Sequence, residues 1–199
     1  MIVKPLLIAV AGASGSGKTT VANALLQGIQ SLGLTATLFS QDNFYNPVGH
    51  PLNNYDEPQA LELDLLAEKL NELKQGLATE IPTYDFVVHR RRQETQMIAP
   101  LDVILIEGLF LLSQPNLVSA FDFKIYLDVP QEICFQRRFD RDQLERGREP
   151  DDIIRQYTDQ VRPGFEKYIA PYRDQADIRI DALPSDLESF IKKTLNLTR

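Results

Sequence analysis

An apolar run, Leu6-Leu7-Ile8-Ala9-Val10, leads directly into Gly12-Ala13-Ser14-Gly15-Ser16-Gly17-Lys18-Thr19, and this junction limits the possible folds more than any other segment. The octet satisfies G-x-x-x-x-G-K-[ST] at every fixed position. Five apolar residues in a row read as a strand buried on both faces, as in a parallel sheet. Behind the glycines, Val21, Ala24, Leu25 and Ile29 fall on one helical face, and Gly33 is the stop signal. Strand, glycine loop and helix in this order turn backbone N–H groups toward an anion at a helix N-terminus. Gly12 to Thr20 is therefore the expected phosphate cradle. Lys18 would reach the β- and γ-phosphates, and Thr19 would bind Mg²⁺ through its hydroxyl.

Further strand and helix patterns alternate along the chain. Thr35 to Phe39 reads as a strand ending in Ser40-Gln41-Asp42; Val103 to Ile106 reads as one ending in Glu107-Gly108; Phe123 to Leu127 and Ala176 to Ile180 read as two more. Asn43 to Glu57 reads as loop, and a helix opened by Pro58 carries Leu63, Leu66, Leu70 and Leu73 before Gly76. Ile81 to Arg92 with Thr95 to Ile98 is expected to form a small hairpin. A helix spans Gln131 to about Glu145, and another Asp151 to about Tyr168, disturbed near Pro163-Gly164. Ser185 to Glu188 reads as a capping box for a last helix. The expected fold is α/β: a parallel sheet of about five strands flanked by helices, of the P-loop NTPase type, with right-handed crossovers.

Composition narrows the class. The 199 residues suit one domain over 1–199, with an insertion at about 43–100 and a lid at about 137–150. A single cysteine, Cys134, allows no internal disulfide, and no Cys/His spacing suggests structural zinc, so a reducing, cytoplasmic setting is expected. A formal charge of −7 argues against broad nucleic-acid binding. No apolar run reaches the length of a bilayer span, and the first residues do not read as a signal peptide. The expected partners are small molecules.

Parallel strands deliver their last residues to one edge of the sheet. Glu107 is thereby a candidate for holding the metal or its water shell, and Asp42 either a base for an acceptor hydroxyl or a cap for the turn at Asn43. Asp102, at the other end of its strand, is left out. Arg137, Arg138, Arg141, Arg146 and Arg148 fall within twelve residues without a lysine. Arg138 and Arg141 share a helix face, and Gly147 permits a bend, the make-up of a lid that closes arginines over a phosphoryl group. The plainer reading pairs them with Asp140, Asp142 and Glu145. Arg90-Arg91-Arg92 is read as solvated. The absence of an Asn-Lys-x-Asp segment counts against guanine-nucleotide switches.

Taken together, Gly12 to Thr20, Ser40 to Tyr45, Asn54 to Pro58, Pro82 to His89, Glu107-Gly108, Arg137 to Arg148 and Gln156-Tyr157 with Val161-Arg162-Pro163 resemble, in order, the uridine kinase family of P-loop nucleoside kinases. The resemblance runs from about residue 5 to 180. It implies transfer from ATP or GTP to the 5'-hydroxyl of uridine or cytidine, a step of pyrimidine salvage, with Asp42 as base, while the lid reading puts Arg141 and Arg146 on the transferring group. It further implies Asp56 and Arg138 on the ribose hydroxyls, Tyr84, Phe86 and His89 on the pyrimidine, and Gln156 and Arg148 completing the acceptor side. Homo-oligomers, often tetramers, are common in the family. Three features depart from its pattern: the segment between Asp42 and Asp56 is shorter, Ala170-Pro171-Tyr172-Arg173 stands where the family has Pro-Thr-Lys, and Asp181-Ala182-Leu183-Pro184 replaces a Pro-Arg-Gly turn. A kinase for another small acceptor and a non-catalytic ATP-binding regulator are the alternatives.

Overall fold

The structure, a computed structural model, describes residues 4–47, 54–85 and 90–196. Five parallel strands form its centre: β1 (Leu6–Gly12), β2 (Ala36–Ser40), β5 (Val103–Gly108), β6 (Phe123–Leu127) and β7 (Ile178–Ile180), in the order β2-β5-β1-β6-β7. Successive residues of β1 and β5 face opposite sides, which is why both read as uninterrupted apolar runs. Leu7, Ala9, Ile104 and Ile106 pack with Phe39, Phe44 and the leucines of α2 (Leu63–Lys74). Ile8, Val10, Val103 and Leu105 pack with Val21, Leu25 and Ile29 of α1 (Lys18–Ser31), and with Ile191 of α7 (Leu187–Thr194). Each face of the sheet thus has its own core.

Two further strands, β3 (Thr79–Asp85) and β4 (Arg90–Ile98), pair antiparallel; the expected hairpin forms, but with Arg90 to Arg92 on its second strand and not its first. The remaining helices are α3 (Pro115–Ala120), α4 (Gln131–Leu144), α5 (Pro150–Gln156) and α6 (Arg162–Tyr168). Asp102 accepts hydrogen bonds from the Thr35 N–H and hydroxyl at the far edge of the sheet, a structural duty consistent with leaving it out.

Several local expectations are corrected. Pro58 opens only a single tight turn, Pro58–Ala60, and α2 begins at Leu63. The last helix is capped by Asp186, whose carboxylate accepts from the Ser189 N–H, in place of Ser185. Asp186 is the stronger acceptor because its charge also favours the positive end of the helix. The disturbance between α5 and α6 is a wider, π-type turn at Tyr157–Val161, just before Pro163. Proline lacks an N–H and crowds the carbonyl four residues back, so the ladder loosens one turn upstream. In the arginine triplet, Arg91 is mostly buried and ion-paired with Glu62 at 2.5 Å, and Arg92 pairs with Asp85; the solvated reading fails for Arg91.

Candidate active site

The carboxyl ends of β2, β5 and β1 lie side by side: Ser40 is level with Glu107, and Val10 is level with Glu107 on its other side. Asp42, Glu107 and the loop after β1 therefore share one edge, as parallel pairing predicts. The loop from Gly12 to Lys18 is tightly held. A Cβ at Gly15 (φ +81°) would collide with the Cys134 carbonyl oxygen of α4, so helix and loop touch backbone to backbone. Arg137 donates to the Ser16 carbonyl at 3.3 Å, and Lys18 Nζ donates to the Ala13 carbonyl at 2.8 Å. Thr19 and Thr20 open α1 and are exposed.

Lys18 and Glu107 are buried at this edge. Burial holds the Lys18 ammonium below its ordinary pKa, with Glu107 and Asp42 acting against the shift. Asp42 is raised from 3.8 to about 6, first by burial and then by the Glu107 charge, while Lys18 pulls the other way. Its N–H donates to the Ser40 hydroxyl, which fixes the turn at the strand end. Ser40 thus caps the turn that carries Asp42.

Asp56 stands beside this group through a local turn in which its N–H donates to Asn54 Oδ1 at 2.9 Å. A Cβ on Gly164 of α6 would come within 2.6 Å of the Asp56 carbonyl oxygen, so the absence of a side chain there lets the turn seat against the helix. Burial raises the Asp56 pKa, and Arg138 opposes the rise. Gln156, on the turn before the π-type bulge, donates to Asp56 at 3.5 Å and accepts from Arg148 at 2.5 Å and Arg138 at 3.3 Å. Arg138 also donates to the Ser14 hydroxyl at 2.7 Å and lies 3.7 Å from Asp56. One guanidinium therefore spans from the phosphate loop to the second carboxylate.

Tyr84 of β3 stacks near Tyr45, ring centres 5.3 Å apart, and the Tyr45 hydroxyl donates to the Tyr55 carbonyl. These rings wall the space beside Asp42 and Asp56, whose charges, after burial, push the Tyr45 hydroxyl well above its ordinary pKa. Phe86 and His89 lie outside the described residues, as does most of the short segment before Asn54. Arg141 and Arg146 are engaged with Asp142, Arg141 through Nε at 3.0 Å and Nη2 at 2.8 Å, and Arg146 at 3.4 Å. The pairing reading of the arginine run is therefore true of Asp142, even though the same arginines sit at the site. Tyr45 and Asp142 were the residues missed. For Asp142 a signal existed: Cys134, Arg138 and Asp142 recur every fourth residue, the stripe that α4 buries.

The donor set suits magnesium. Among the described residues no group of three or more His, Cys, Asp or Glu side chains could hold a metal by itself. Beside the phosphate loop the edge offers the Glu107 carboxylate and the Thr19 hydroxyl, and Mg²⁺ commonly takes such a partial set, completed by phosphate oxygens and water. The buried Ser16 hydroxyl, which has no hydrogen-bond partner among the described residues, leaves a polar atom for an anion in the loop.

Comparison with known proteins places the chain in a family and shows the fold it shares. The model of the "Phosphoribulokinase / Uridine kinase family" matches residues 7–189. Uridine kinases of Staphylococcus epidermidis and Staphylococcus aureus are each 38% identical over 203 residues, covering 94% of this chain and 97% of theirs. The solved structure of phosphoribulokinase from Rhodobacter spheroides superposes with a TM-score of 0.68 at 20% identity, over 88% of this chain and 69% of that one, a likeness of fold.

Proposed function

This chain belongs to the phosphoribulokinase/uridine kinase family of P-loop phosphotransferases, and from that premise we propose that it moves the γ-phosphoryl group of ATP to the 5'-hydroxyl of uridine or cytidine. The observation that carries the reading is Arg138, which donates to Ser14 of the phosphate loop while lying 3.7 Å from Asp56. A donor site and a hydroxyl-binding carboxylate joined by one rigid fork is what direct transfer between two small molecules requires.

In this reading, backbone N–H groups from Gly12 to Thr20 cradle the donor phosphates and Lys18 neutralises their charge. Thr19 and Glu107 would hold Mg²⁺, which would screen charge on the phosphates. Asp42 accepts the acceptor's 5'-hydroxyl proton. A carboxyl that ionises at about 6 is deprotonated at neutral pH and more basic than an ordinary aspartate. Asp56 accepts from two vicinal ribose hydroxyls, with Arg138, Arg148 and Gln156 fixing its direction. Tyr84 and Tyr45 wall the base, a duty that the resemblance also gives to Phe86 and His89, and Arg141 and Arg146 stabilise the transferring group.

The test is ADP formation from ATP and Mg²⁺ with single acceptors, the product identified by mass. Acceptor-dependent ADP with a uridine or cytidine 5'-monophosphate is expected. Turnover only of another ribosyl compound or sugar phosphate would overturn the acceptor, and ATP binding with no acceptor-dependent ADP would favour the regulator.

A further inference from the structure

The acceptor and phosphate sites each contribute groups to one fan of arginines, and at its centre is Asp142, which no role above uses. Its side chain is fully buried, with a relative exposure of 0%. Arg141 Nε and Nη2 lie 3.0 and 2.8 Å from Oδ1, and Arg146 Nη1 lies 3.4 Å from the same atom. Arg138 Nε and Arg148 Nη1 lie 3.7 and 3.4 Å from Oδ2. The chain turns back at Gly147 (φ +60°), and the Arg148 N–H donates to the Asp142 carbonyl at 3.1 Å. Both carboxylate oxygens and the main-chain oxygen of this one residue therefore receive the arginine segment.

Four guanidinium groups gathered in one partly buried volume repel one another, and without a central anion they separate. Burial alone would raise the Asp142 carboxyl, but the Arg141 hydrogen bonds and the surrounding charges hold it below its ordinary range, so it stays ionised as the fan's counter-charge. Two of the arginines pass the constraint on: Arg138 to Ser14 and Gln156, and Arg148 to Gln156 and hence to Asp56. We propose that Asp142 is a positioning residue for phosphoryl transfer, holding Arg138, Arg141, Arg146 and Arg148 as one preassembled array before nucleotide arrives. This rests on the kinase reading above.

A positioning role separates rate from affinity. Removing the Asp142 charge leaves the site more positive, so ATP binds as well as before or tighter, while misdirected arginines slow transfer. For D142N, nearly the same size as aspartate, kcat with the acceptor found for the wild type should fall on the order of 100-fold with ATP dissociation no weaker. An unchanged kcat, or kcat and ATP affinity falling in parallel with the melting temperature, would overturn the proposal. A second measurement needs neither acceptor nor variant: limited trypsin digestion of the nucleotide-free wild type. Preassembly requires slow cleavage after Arg146, accelerated by ATP·Mg²⁺ removal by less than about threefold, and roughly tenfold faster cleavage in D142N where that variant folds. Rapid wild-type cleavage there without nucleotide, or equal rates in the two proteins, would refute it. If no acceptor is turned over, the kinase reading fails while the digestion still decides whether the array exists.

Discussion

Replacing Asp42 with asparagine should make the protein more stable and nearly inactive, and the size of the gain can be worked from its surroundings. The Asp42 carboxyl ionises at about 6 in the folded chain against an ordinary 3.8, because burial and the Glu107 charge both disfavour the anion. At about 1.4 kcal/mol per tenfold change in proton affinity, that displacement costs about 3 kcal/mol once Asp42 is fully ionised. Solvent reaching the partly open carboxylate reduces the expected figure to about 1–2 kcal/mol. The sign follows from proton counting. Between pH 3.8 and about 6 the folded chain holds the Asp42 proton and the unfolded chain has lost it, so stability falls as pH rises through this window and the full cost applies above it. The neutral amide of the D42N variant carries no such cost. In urea or thermal unfolding of the free protein, D42N should exceed the wild type by about 1–2 kcal/mol at pH 7.5, a few degrees in Tm, with about half that margin at pH 5. Its kcat should fall about 100-fold or more while ATP binding holds. Equal or lower stability at pH 7.5, or the same margin at both pH values, would refute the electrostatic account, and undiminished turnover would remove Asp42 as base.

Further outcomes follow from the same geometry. In the wild type, kcat/KM for the acceptor should drop about tenfold per pH unit below the Asp42 ionisation at about 6, and a flat profile down to pH 5 would contradict that assignment. G164A puts a methyl 2.6 Å from the Asp56 carbonyl oxygen, so the acceptor KM should rise on the order of tenfold with ATP binding unchanged, at a stability cost of about 1–3 kcal/mol, both readable by steady-state kinetics and denaturation. G15A combines a φ of +81° with a Cβ driven into the Cys134 carbonyl oxygen, and calorimetry should find nucleotide binding lost together with about 2 kcal/mol or more of stability. L70A, in the core under the hairpin side of the sheet, should cost about 2–5 kcal/mol in urea unfolding.

Much of this was legible in one dimension because the signals are local. A buried parallel strand must be apolar on both faces, and a tight phosphate turn needs glycine where φ is positive; both requirements are met in the thirteen residues from Leu6 to Lys18. Parallel pairing then placed Asp42 and Glu107 at one edge without further information. Finer local features were less legible. The cap at Asp186 and the late start of α2 turned on competition between neighbouring residues that each could have served.

Sequence alone determined the α/β class, the phosphate loop, the strand-end acids and the family to which the chain is similar, since each depends on residue type at fixed short spacing. Only the tertiary structure decided the rest. Asp142 reads in sequence as one more surface acid among arginines, Gly164 as a helix breaker, and Tyr45 as a neighbour of Asp42. Folding buries Asp142 among four guanidinium groups, brings Gly164 against Asp56 across more than a hundred residues, and sets the Tyr45 ring at a tilt against Tyr84. Burial and long-range approach set the energy of a charge or a missing side chain, and local spacing gives at most the face that is buried, never what meets it.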